Sequence, residues 1–206
     1  MDKKTGLRKL SVNSLFAADP SHTGFVLLGL QGKNLTKGKG AKIFDTDYVS
    51  SDNADVQTVD HLVDDLLAQG LVDEERIYAV GVGGGANMAI LYTMLRPNRV
   101  AAAAITEPPH VDISWTCPDS APPMLAMAPA CTPKICHEFE EWLKARAAVA
   151  QVTNVLYFAD KDNRVASCDA CSKEGPEGAL TETKAQDLVA FFRRFRLTLK
   201  KVQTDH

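Results

Sequence analysis

The chain has 206 residues, 45% of them apolar and 24% charged, with a formal net charge of -3. That is enough chain for one domain with a sizeable core, and the composition is that of an ordinary soluble globular protein. The slight negative charge argues against a general nucleic-acid binder, and no apolar run reaches the roughly 18 residues of a membrane helix.

Basic residues cluster in 33–42 and 193–201, as solvated faces often do. The start, Met1-Asp2-Lys3-Lys4, lacks the apolar segment of a secretory signal. That leaves a cytoplasmic protein, or a secreted one whose signal has been removed.

Strand-like and helix-like segments alternate along the sequence. Phe25 to Leu30 is a short apolar run bounded by Gln31-Gly32, and predicts a buried strand. A polar, glycine-containing loop follows. Residues 55–69 carry Val56, Val59, Leu62, Val63, Leu66 and Leu67 at helical spacing, with Gly70 as the stop. Arg76 to Val80 predicts a strand, and Ala86 to Leu95 a helix ending before Pro97. Val100 to Ile105, Met124 to Ala128 and Val152 to Phe158 predict three more strands. His137 to Val149 has Phe139, Trp142 and Leu143 on one helical face. Thr181 to Phe195 predicts the last helix, burying Leu188, Val189, Phe191, Phe192 and Phe195.

Apolar strands that alternate with helices favour a mostly parallel sheet covered on both faces, an α/β fold with α/β/α layers in a single domain, 1–206. In such sheets sites form beyond the carboxyl ends of the strands. The loops after Leu30, Val80, Ile105, Ala128 and Phe158 should then share one rim.

The strand at Arg76 to Val80 runs into Gly81-Val82-Gly83-Gly84-Gly85 and then a helix. Strand, tight glycine turn and helix make the nucleophile elbow G-x-S-x-G, whose central serine attacks a carbonyl. Here the central position is Gly83, flanked by Gly81 and Gly85 where the motif wants glycines. Around it stand Val63-Asp64-Asp65-Leu66, Val72-Asp73-Glu74-Glu75-Arg76-Ile77-Tyr78, Ala86-Asn87-Met88-Ala89, Arg96-Pro97-Asn98 and Val100-Ala101-Ala102. Together these resemble the esterase group of the α/β-hydrolases: polyhydroxybutyrate depolymerases, feruloyl esterases and acetylxylan esterases. The stretch from Ala18-Asp19 through Gly24-Phe25-Val26 resembles the family's second core strand and its lead-in, and Phe191 to Phe195 the closing helix. The resemblance implies an α/β-hydrolase fold shortened at the N-terminus and a Ser-Asp-His triad acting on carboxylic esters.

The triad is where this chain departs. Gly83 has no side chain to attack with. The resemblance sets Cys131 at the acid position, or in another alignment Asp162. A histidine must follow the acid, and the only one after His137 is His206, the last residue. No segment before Gly24 reads as the HG strand that supplies half of the oxyanion hole. Attack by serine needs a base to take its proton and an acid to orient that base, so a degenerate, non-catalytic homologue is expected. It would bind a small ester or a protein on the old rim.

Other readings compete for the same residues. Gly81, Gly83 and Ala86 satisfy G-x-G-x-x-A, with Glu107 about twenty residues on for a ribose hydroxyl. This dinucleotide reading is at odds with the strand and helix that precede the motif. Gly32 to Lys39 misses the P-loop by one residue and has Gly40 where Ser or Thr must bind magnesium. Cys131 and Cys136, spaced C-x4-C, and Cys168 and Cys171, spaced C-x2-C, could hold zinc, pair as disulfides or stay free thiols beside Cys117. A thiolate of Cys131 or Cys136 with His137 could replace the serine, although sequence neighbours at a helix start point apart. Glu107 and His110 fall on the rim, where Pro108-Pro109 favours a plain loop. No cofactor is called for by the hydrolase reading.

Overall fold

A computed structural model describes residues 24–32, 43–106, 122–128, 137, 140–141, 144, 152–158, 164–165 and 182–198. Its first helix, α1 (Ala54–Ala68), is set by Asn53, which is fully buried. The Asn53 amide oxygen accepts from the N–H groups of Asp55 and Val56, at 2.9 and 3.2 Å. Its amide nitrogen donates to the carbonyls of Asp45 and Tyr48, each at 2.7 Å. One side chain thus caps the helix and fixes the loop before it. At the other end Leu71 N–H bonds to the Leu66 carbonyl and Gly70 N–H to that of Leu67, the stop expected at Gly70.

A short 3-10 turn (Glu74–Arg76) leads into β1 (Tyr78–Val82), followed by α2 (Gly84–Leu95) and β2 (Ala102–Thr106). Then come β3 (Met124–Ala128), β4 (Val152–Phe158), the two-residue β5 (Arg164–Val165) and α3 (Glu182–Phe192). The strands stand in the order of the sequence, β1 to β4 parallel and β5 antiparallel at the end. His137, Glu140, Glu141 and Lys144 are helical, in the segment where a helix is expected.

Alternation sorts the side chains onto two faces. Tyr78, Val80, Ala102, Ala104, Leu125 and Met127 face α3, whose Ala185, Leu188, Phe191 and Phe192 cover them. Ala103, Ile105, Met124 and Ala126 face α2 through Ala86, Ala89 and Ile90. A third cluster joins α1 to the outer side of α2 through Val56, Val59, Val63, Met88, Leu91 and Tyr92. Val189 and Phe195, expected to be buried, are half-buried at the edge of the α3 cluster.

The segment from Phe25 to Leu30 is not the buried strand its composition predicts. It carries no strand pairing, and Phe25, Val26 and Leu30 are 42%, 49% and 36% exposed. Leu27 reaches the α3 face and Leu28 the α1–α2 cluster, so the segment straddles the sheet plane without joining the ladder. An apolar run signals burial only when both of its faces find cover.

The α1–α2 contact is tied by charge. Asp60 of α1 accepts from Arg96 Nε at 2.8 Å, from the Tyr92 hydroxyl at 3.0 Å and from Arg99 Nη1 at 3.1 Å. Arg99 also pairs with Asp64. Burial works to raise the Asp60 carboxyl, but the hydrogen bonds from Arg96 and Tyr92 and the charges of Arg96 and Arg99 outweigh it and hold the pKa below the usual value. Burial, and then the neighbouring Asp60 carboxylate, pushes the Tyr92 hydroxyl up to about 12.

Candidate functional site

Strand β1 ends at Val82, helix α2 starts at Gly84, and Gly83 alone makes the turn between them. Its backbone sits at φ 55° and ψ -126°, a region that is essentially glycine's own. A serine at an elbow must be forced into such a geometry, whereas Gly83 enters it without a Cβ to clash. The Gly83 N–H donates to the Thr106 carbonyl at 3.3 Å, and its own carbonyl accepts from Ala86 N–H at 2.8 Å. The turn is therefore fastened to the end of β2 and to the first turn of α2.

Gly81 is needed for a different reason. A Cβ there would lie 2.4 Å from Ala86 Cα and 2.5 Å from the Gly85 carbonyl oxygen, so only glycine lets α2 approach β1 this closely. At Gly85 a Cβ would meet nothing within 4 Å. The two outer glycines of the motif are thus unequal: the first makes room for the helix, and the second does not.

No side chain caps α2, and Gly84 is exposed. The first N–H groups of a helix have no partner within it and form the positive end of its dipole. The elbow can hold an anion or a polarised carbonyl oxygen there, but Gly83 offers no nucleophile.

Of the residues singled out in the sequence, the fold brings together Gly81, Gly83, Gly85 and Ala86. Glu107, His110, Cys117, Cys131, Cys136, Asp162, Cys168, Cys171 and His206 lie outside the described residues. Among the described residues, no group of three His, Cys, Asp or Glu could hold a metal, and no helix is long and apolar enough to cross a membrane. His137 is exposed, 3.7 Å from Glu140. Sequence reasoning passed over two buried polar residues: Thr106, 3% exposed and without a partner for its hydroxyl among the described residues, and Lys184, also 3% exposed. The signal for Lys184 was present, because it lies four and seven residues before Leu188 and Phe191 on the apolar stripe of α3.

Strand order bears on the dinucleotide reading. That fold places its fourth strand beside the first, creating a switch point at the glycine turn. Among the described strands β4 lies beside β3, and two strands separate it from β1. Sequential parallel strands, a one-residue turn and a helix behind it make an α/β fold. A Bacillus cereus carboxylesterase of known crystal structure shares this fold: it superposes over 92% of this chain and 84% of its own, with TM-score 0.55 and 18% identity. No protein-family profile matches the sequence, and no curated protein does.

Proposed function

We propose that this protein is a degenerate carboxylic-ester hydrolase of the polyhydroxybutyrate depolymerase and feruloyl esterase kind, a single α/β/α sandwich domain over residues 1–206. It has kept the elbow and lost the chemistry. Its role is to bind a small ester or acyl ligand at the rim rather than to cleave it.

The observation that carries this reading is Gly83, whose φ of 55° and ψ of -126° hold the elbow geometry without an attacking atom. Acyl transfer starts with an oxygen or sulfur lone pair on the carbonyl carbon, and no such atom stands at this turn. The sequence adds that no histidine follows His137 before His206. What remains are the N–H groups at the start of α2, which stabilise a carbonyl oxygen whether or not it is attacked. The likeness to a carboxylesterase supports the fold on which this rests.

Hydrolysis of p-nitrophenyl butyrate by the unmodified protein and by Gly83→Ser tests the reading. Silence from both is the expected result. Activity in Gly83→Ser alone would mean that a base and an acid survive and that only the nucleophile is lost. Turnover by the unmodified chain that iodoacetamide abolishes would replace the reading with a cysteine esterase, Cys131 and Cys136 being the first residues to substitute.

A further inference from the structure

We draw no further inference here: the strongest candidate, the exposed apolar surface patch of Phe25, Val26, Leu30 and Ile43 on the segments that precede α1, carries nothing, because nothing among the described residues shows what covers it.

Discussion

Three glycines that look equivalent in Gly81-Val82-Gly83-Gly84-Gly85 are under different constraints, and substitution should separate them. At Gly81 a Cβ would fall 2.4 Å from backbone, with nothing flexible to yield. Gly81→Ala should cost about 3 kcal/mol or push α2 off the strand. At Gly83 the cost is conformational, about 1–3 kcal/mol for any residue with a Cβ at φ 55°. At Gly85 a Cβ meets open space inside a helix, so Gly85→Ala should stabilise by about 0.5–1 kcal/mol. Urea unfolding of the three variants reads the order, and a stabilised Gly81→Ala would contradict the packing described. The motif was legible because glycine at fixed offsets after a strand is a backbone signal. Which glycine makes room for the helix was not, because close approach is a property of three dimensions.

At the scale of elements, α1 and α2 illustrate what periodicity gives and what it withholds. The apolar spacing of Val56, Val59 and Val63 marks the helix and its buried face. It is silent on Asp60, which lies between them in sequence and binds Tyr92 of α2 and Arg96 and Arg99 just beyond it. The Asp60 carboxyl is depressed in the folded state, so its contribution is present above the unfolded value near 4 and is lost as pH falls through the folded one. Asp60→Ala should therefore cost about 2 kcal/mol at pH 7 by urea unfolding, and progressively less as the acid limb is descended. A pH-independent difference would mean that the side chain acts through packing alone. Phe25 to Leu30 shows the opposite failure, in which an apolar run has the composition of a strand and no strand to pair with. The start of α2 at Gly84 rather than Ala86 has a related cause: three glycines read as turn, yet two of them are helical because β1 already fixes the direction of the chain.

For the molecule as a whole, α3 is the piece that closes the sheet. Phe192 is 8% exposed, stacked 14° from the plane of Tyr78 and next to Phe191. Arg196 then pairs with Glu75 and Asp73, and Leu197 N–H bonds to the Glu75 carbonyl at 2.9 Å, stitching the exit of α3 to the entry of β1. Phe192→Ala should cost about 3–4 kcal/mol and lower the melting temperature by about 10 °C in far-ultraviolet circular dichroism. A loss confined to α3, with the sheet melting unchanged, would show that the helix is an appendage rather than part of one cooperative unit. The stitch also has a timetable. Tyr78 and Phe195 are separated by 117 positions, a distance that synthesis at 5–20 residues per second covers in roughly 6 to 23 s. Through that interval β1 and β2 can exist while the helix that covers them does not. Ala102 and Ala104 of β2 then face outward with Tyr78 and Val80 as an uncovered apolar surface, and the nascent chain passes through its stickiest moment before it has made its last contact.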